Sequence, residues 1–469
     1  MTHRSRRYLV ALSVLLIASL PACMVGPNYH RPQETLPGQF RNAPPSDSAA
    51  SITDTKWFDL FHDDILKQLV ETALQKNFDV QIAAQHVLEA RAQLGLTHAQ
   101  LFPTVDLPAQ YTVSQSSGIG AFPYPGGQPF KTSYTQLGLS LAWDLDLWGR
   151  IRRLTEAARA QYLATDEARH GVILSLISDV MTSYFGLREQ DLELQIAQQT
   201  RDAAEQSLRL LQLRLQRGAA SGLEVHQAEQ FLYTATAQIA STERGIGQAE
   251  NALNLLLGNA PGSVERGQSL DRITGPPQLP PGLPAALVER RPDIRQAEDN
   301  LIAANAQIGA ARALFFPDIS LTGFLGGQSS ALSALLTGPA RMASISPTAT
   351  IPIFHAGLRA GLHLTEAQKQ EMLIAYQKAI YTGLREVSDA LVAHDRTLQQ
   401  RQEEEKLVVA LSESVRLSNL RYRGGLDSYL QVLDAERNLF GGQLTLAQLQ
   451  LLELNSIVQL YGALGGGWQ

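Results

Sequence analysis

Apolar and polar positions change period along this chain in a fixed order. From Ile65 to about Gln100 the apolar residues Ile65, Leu66, Leu69, Val70, Ala73 and Leu74 recur at spacings of three and four, which predicts an amphipathic helix. Pro103 breaks it, and from Val105 the period becomes two. Val105, Leu107, Ala109, Tyr111 and Val113 alternate with Asp106, Pro108, Gln110 and Thr112, the spacing of a strand. A Gly-, Pro- and Ser-rich loop fills 115–132. Alternation then resumes: Leu137, Leu139, Leu141, Trp143, Leu145 and Leu147 face one way, and Gly138, Ser140, Ala142, Asp144 and Asp146 the other. After Gly149 proline is absent through position 217, and Ile173, Leu176, Ile177, Val180, Tyr184 and Leu187 trace a helical stripe. Such a helix is on the order of 100 Å long. It ends at "RGAASG" (Arg217–Gly222), a second helix runs from about Leu223 to Leu257, and 258–284 is a Pro/Gly-rich linker.

The same order then recurs. A helix runs through "RRPDIRQAEDNLIAANAQIGAARAL" and breaks at Phe316-Pro317, as the first did at Phe102-Pro103. Ile319, Leu321, Gly323 and Leu325 alternate with Ser320, Thr322 and Phe324. After a loop at 326–341, Ile345, Pro347, Ala349, Ile351 and Ile353 alternate with Ser344, Ser346, Thr348 and Thr350. A long helix follows from about Gly357 to Tyr422, a turn at Gly424-Gly425, and a last helix from about Ser428 to Leu464. "RGGLDSYLQVLDAERNLFGG" repeats the wording of "RGAASGLEVHQAEQFLYTAT". The chain therefore reads as a tandem duplication of one unit of roughly 210 residues. Its expected segments are 1–22, an arm at 23–64, a first repeat at 65–258, a linker at 259–285, a second repeat at 286–464 and a tail at 465–469.

Strands of about ten residues, apolar on one face and small or polar on the other, suit a transmembrane β-barrel and also a soluble sandwich. Four such strands cannot close a barrel, and an open edge in lipid leaves backbone groups unpaired at several kcal/mol each. If the strands span a membrane, the chain must oligomerise. The helix lengths fit this picture. The two shorter helices of each unit, stacked end to end, match one long helix, so each unit makes two side-by-side columns.

Composition narrows the function. With 469 residues, 44% of them hydrophobic, the chain can bury sizeable cores; a net charge of −6 gives no polybasic surface, so nucleic acid is not an expected partner. The one cysteine, Cys23, permits no internal disulfide. It follows a basic segment (Arg4, Arg6, Arg7) and an apolar run, Tyr8 to Leu20, too short for a membrane span. Residues 1–22 thus read as a secretory signal, and "LPAC" as a lipobox that makes Cys23 a lipid-bearing N-terminus. Loss of the three arginines takes the charge from −6 to −9. "SRRYLV" leaves export by the Sec or twin-arginine route open. HExxH and GxSxG are absent, and His62, His86, His170 and His355 are scattered, so no catalytic or metal constellation assembles and no cofactor is expected.

Several segments together carry a family resemblance: "CMVGPNYHRP", "LFPTVDL", "WDLDLWGR", "ERRPDIRQAE", "LFFPDISL", "IPIFHAGLRA" and "RYRGGLDSYLQVLDAERNLF". Over essentially the whole mature chain the sequence resembles the TolC-like outer membrane factors, in the lipoprotein branch that serves tripartite efflux pumps. The resemblance implies a mainly α protein with membrane β structure. It implies a homotrimer with a 12-stranded transmembrane β-barrel continued by a 12-helix periplasmic α-barrel. It further implies a periplasmic adaptor and an inner-membrane pump, RND-type, as partners, and a lipid-anchored place in the outer membrane. The expected activity is that of a passive exit duct for small molecules such as drugs or toxic organics. Polypeptide export is one alternative, and a helical periplasmic scaffold that never spans the bilayer another.

The candidate sites follow from that. Arg217, Gly218, Ser221, Arg423, Gly424 and Ser428 sit at the two helix–turn–helix tips, where the resemblance implies contact with the adaptor. Turn and capping chemistry accounts for the glycines and serines equally well. Asp427 and Asp434, with Arg421 and Arg423 as partners, are the expected periplasmic gate; helix capping is the other reading for Asp427. Asp144, Asp146 and Ser140 are expected to line the lumen.

Overall fold

A computed structural model describes residues 24–43, 51–52, 56–117, 131–273, 275–276 and 279–466. Cys23, with its expected lipid, lies outside the described residues, as does most of the 115–132 loop.

The helices begin and end where the side chains dictate. Helix α1 (Asp64–Lys76) starts at Asp63, whose carboxylate accepts the Ile65 and Leu66 N–H groups, an N-cap. Asn77 then leaves the helical region and caps α2 (Phe78–Ala99) by accepting the Asp79 and Val80 N–H groups. The expected single helix of 65–100 is thus two, divided by one capping asparagine. Helices α3 (Arg150–Gln216) and α4 (Gly222–Leu256) follow, then α5 (Pro284–Arg290), α6 (Pro292–Ala313), α7 (Ala356–Arg423) and α8 (Tyr429–Ala463). Two prolines at helix starts, Pro284 and Pro292, give an extra short helix where the linker was expected to end, because proline's fixed φ suits the first turn.

Five antiparallel strands form one sheet: β1 (Thr104–Asp106), β2 (Ala109–Gln115), β3 (Lys131–Asp144), β4 (Asp318–Ser329) and β5 (Arg341–Thr350). β1 and β2 both pair with β3, which pairs with β4, which pairs with β5. The first expected strand is split at Leu107-Pro108, since proline offers the ladder no N–H.

The chain divides into two compact units. The first comprises residues up to Pro32, Leu88–Ala164 and Ala297–Ala375. It holds the sheet and a small-residue core of Ala157, Ala160, Ala303 and Ala306. Among its described residues the N-terminal arm is tied down tightly. Val25 donates to the Trp148 carbonyl, and the Arg153 guanidinium reaches the Val25 and Gly26 carbonyls and Asn28. Arg31 grips Glu298 with two bonds of 2.6 Å, beside a bond from Tyr29. Gly26 (φ +103°) lies so close to Gly309 that a methyl group would stand 2.4 Å from its Cα.

The second unit comprises Gln33–Val87, Thr165–Gln296 and Tyr376–Gln469. One helix, Arg150–Gln216, holds a window long and apolar enough to cross a membrane by length and composition. Its Ile177, Val180, Met181, Tyr184, Phe185 and Leu187 are instead buried. The Tyr184 hydroxyl donates to Asp63, so the residue that caps α1 also ties it to α3. The Gln268 N–H joins the same carboxylate. Among the described residues of 258–284, Val264, Leu270 and Leu279 are buried.

Candidate functional site

The two helix–turn–helix tips are held together by one core. Leu211, Val225, Ala228 and Phe231 pack with Tyr429, Val432, Leu433 and Phe440. Phe231 and Phe440 meet edge to face at 6.4 Å. Both turns close by the same two backbone bonds. At the first tip the Ala219 N–H reaches the Arg214 carbonyl at 2.8 Å, and Gly218 N–H reaches Leu215. At the second the Leu426 N–H reaches Arg421 at 2.9 Å, and Gly425 N–H reaches Tyr422. Gly218 and Gly425 take the positive φ (+69° and +72°) that this helix ending requires. Matched by these bonds, Arg217 stands opposite Gly424 rather than Arg423, so the two arginines of the repeated wording are not equivalent.

The side chains then make the tips chemically different. Ser221 caps α4 in a reciprocal box: it accepts the Glu224 N–H, and Glu224 accepts the Ser221 N–H at 2.7 Å. Ser428 stands at the N-cap of α8 without a side-chain bond. Asp427 does not cap the helix either. It accepts from the Arg421 guanidinium at 2.5 and 3.1 Å within the same chain, and that guanidinium holds its carboxyl below the usual carboxylate range. Arg214, unnoticed in the sequence, lies over the Tyr422 ring at 4.8 Å, a cation–π contact. Arg217 and Arg423 are exposed. Asp434 is exposed too and accepts only from Asn438, at 3.3 Å. Of the expected gate, then, Arg421 and Asp427 are already paired, whereas Arg423 and Asp434 hold no ion partner among the described residues.

Glu436 is a second residue that periodicity does not reveal. Burial pushes its carboxyl up to about 7, against one opposing hydrogen bond from Asn419, and one of its oxygens is unpartnered. A carboxyl raised in the folded state destabilises only where it is ionised. The penalty is absent below the ordinary value near 4.5 and complete above about 7. We expect Glu436→Gln to stabilise the tip at pH 8 by up to about 3 kcal/mol and to change nothing at pH 4. Thermal unfolding at the two pH values checks this.

The sheet presents two different faces. Directly opposed residues share a face, so the registers place Val105, Leu141, Gly323 and Ile345 along one row of one face, and Asp106, Ser140, Phe324 and Ser344 along one row of the other. Leu139, Leu325 and Ile345 are 48%, 63% and 76% exposed. Ser140 lies on the polar face as expected, its hydroxyl 3.5 Å from the Asp106 carbonyl. Asp144 ends β3 on that same face. Asp146 does not line it. The chain turns after Asp144, and the Asp146 carboxylate accepts the Ile151 and Arg152 N–H groups at 2.9 Å each and pairs with the Arg152 side chain. It is a half-buried anchor for the start of α3, where its charge suits the helix dipole. Trp148 stacks on Phe316 at 4.9 Å and donates to the Pro317 carbonyl, and Trp143 donates to the Leu101 carbonyl. Among the described residues no group of three or more His, Cys, Asp or Glu is placed to hold a metal ion.

A family model described as outer membrane efflux protein matches residues 69–259 and 283–466. This chain belongs to the outer membrane efflux protein family. It is 39% identical to the solvent efflux pump outer membrane protein SrpC of Pseudomonas putida, over 98% of each chain. It is 36% identical to the cation efflux system protein CusC of Escherichia coli O6:H1, over 96% of this chain and 97% of that one. Its fold is similar to the open state of the Neisseria gonorrhoeae MtrE outer membrane channel, with a TM-score of 0.85 at 31% identity, covering 95% of this chain and 99% of the other. The family resemblance read in the sequence is therefore correct, as are the expected outer-membrane location and the role in efflux. The efflux protein is mainly helical with one sheet, as its channel-forming neighbours are.

Proposed function

We propose that three copies of this efflux protein close a 12-stranded barrel across the outer membrane and a 12-helix barrel in the periplasm, each chain contributing a tandem repeat. The observation that carries this is the two-faced sheet. Among the described residues its apolar face is uncovered, and β1 and β2 on one side and β5 on the other each leave an edge unpaired. Lipid covers such a face, and only closure with further copies satisfies such edges. The assembly is a passive exit duct for small molecules. SrpC and CusC are named for solvent and cation efflux, and apolar organic solutes are the substrate class we favour here. Its partners are a periplasmic adaptor, meeting the tips at Arg217, Gly218, Ser221, Arg423, Gly424 and Ser428, and an RND-type inner-membrane pump. Asp144 and Ser140 line the lumen; Arg423 and Asp434 act at the periplasmic gate. A heat-modifiable trimer that needs detergent for extraction is the expected result, and a monomer released by salt or alkali refutes the proposal.

Cys23 completes the reading. The first described residues after it, Met24 and Val25, are held at Gly149 and Trp148. Mass spectrometry of the mature N-terminus is expected to find an acylated Cys23. Cys23→Ser loses the lipid yet still forms trimers, because barrel closure rather than the anchor holds the assembly.

A further inference from the structure

Phe324 stands in the middle of the polar face. Its rung partners are Ser140 on β3 and Ser344 on β5. Its Cζ atom lies 2.6 Å from the place a methyl on Gly138 would occupy, and that methyl would also stand 2.6 Å from the Gly326 Cα. Gly138 and Gly326 are themselves a rung, and the residue opposite Gly326 on β5 is Met342. The ring thus reaches over bare Gly138, whose rung partner Gly326 is bare as well, and Met342 stands at the next position of the same face. The ring is half-buried and Met342 is 37% exposed.

An aromatic ring over a strand glycine stabilises a sheet, and that service needs only one ring face. The other face is left toward whatever the polar side of the sheet encloses. A flat apolar surface framed by hydroxyls supplies what an aromatic solute needs: a π-face for stacking, which also attracts organic cations through the ring quadrupole. We propose that Phe324, with Met342, forms a stacking pad for aromatic and aromatic-cation solutes inside the barrel, repeated three times around the lumen. This pad rests on the proposed function, which places the polar face in the lumen, and it gives that duct a wall with a preference of its own.

The test separates the two layers. Full-length trimer is recorded in planar bilayers. First, Phe324→Cys and Leu325→Cys are exposed to a charged, membrane-impermeant thiol reagent. Loss of conductance in Phe324→Cys and none in Leu325→Cys is expected. The reverse pattern overturns the lumen reading, and the pad with it. Second, tetraphenylphosphonium is added on the extracellular side, with tetraethylammonium as a control of equal charge. Wild type is expected to be blocked at lower concentrations by the aromatic cation. Phe324→Ala should weaken that block by about fivefold or more, the size of a ring contact with a cation, and leave the control unchanged. Phe324→Leu keeps Gly138 covered and tests the pad should the alanine variant fail to assemble; it too should narrow the gap between the two cations. A Phe324 thiol that reacts, together with an unchanged tetraphenylphosphonium block in the assembled variants, overturns the pad and leaves the duct standing.

Discussion

Leu139→Arg is expected to abolish recovery of the trimer, while Ser140→Arg leaves assembly intact. The two residues are neighbours on β3, and the pleat points them to opposite faces. Leu139 opposes Leu325, both exposed on the apolar face with no cover among the described residues. An arginine near the bilayer midplane costs roughly 2–4 kcal/mol, and in the proposed trimeric barrel that cost applies three times. Ser140 opposes Phe324 on one side and Asp106 on the other, so an arginine there enters a polar face with a carboxylate beside it. Heat-modifiable migration and denaturant midpoints of both variants in detergent measure the contrast. Equal tolerance at the two positions places this sheet outside the membrane.

Where punctuation is chemical, the fold was legible from the residues. The helix expected from 150 to 217 runs Arg150–Gln216, and that from about Gly357 to Tyr422 runs Ala356–Arg423, because glycine and proline mark the ends and nothing between them interrupts. Period-two alternation likewise gave the faces of the strand residues it named through Asp144, although β3 begins at Lys131 and β4 runs on to Ser329, inside the loops expected at 115–132 and 326–341. It failed at the next step. "DLDLW" keeps alternating after the strand has ended, since Leu145 and Leu147 serve a turn as well as they would a strand. Asp146 looks like a second lumen carboxylate until the helix N–H groups it caps are seen. Asn77 divides a helix for the same kind of reason: a single side chain competes locally with a periodic pattern that carries no record of it. The glycine rung beside Phe324 is of a third kind. Gly138 and Gly326 are far apart in sequence, and only strand register brings them to one rung. At the tips, wording misled by one residue, because the turn bonds and not the repeated arginines set the equivalence.

The charges that those turns leave over are the candidates for a periplasmic gate. Arg421 and Asp427 satisfy each other within one chain, so they shape the tip and cannot also bind a neighbour with full strength. Arg423 and Asp434 are the unspent charges, on α7 and α8 of the same tip. In a trimer with these tips around one axis, three copies of each repel their own kind unless cation and anion meet across subunits. Our proposal is a closed end held by Arg423–Asp434 pairs; such exposed pairs are weak singly, which suits an element that an adaptor has to release. Either Arg423→Asp or Asp434→Arg alone should place like charges together, and single-channel recordings should show larger and longer openings than the mostly closed wild type. The double variant, Arg423→Asp with Asp434→Arg, restores opposite charges in exchanged positions and should close the channel again. Raising the salt should open the wild type toward the level of the single variants, because screening acts on exposed charges. Arg421→Ala serves as the comparison: it frees Asp427 and loosens one turn, without the rescue that a cross-subunit pair produces. Single variants as closed as wild type, or a double variant as open as either single one, remove Arg423 and Asp434 from the gate and leave them as surface charges available to the adaptor.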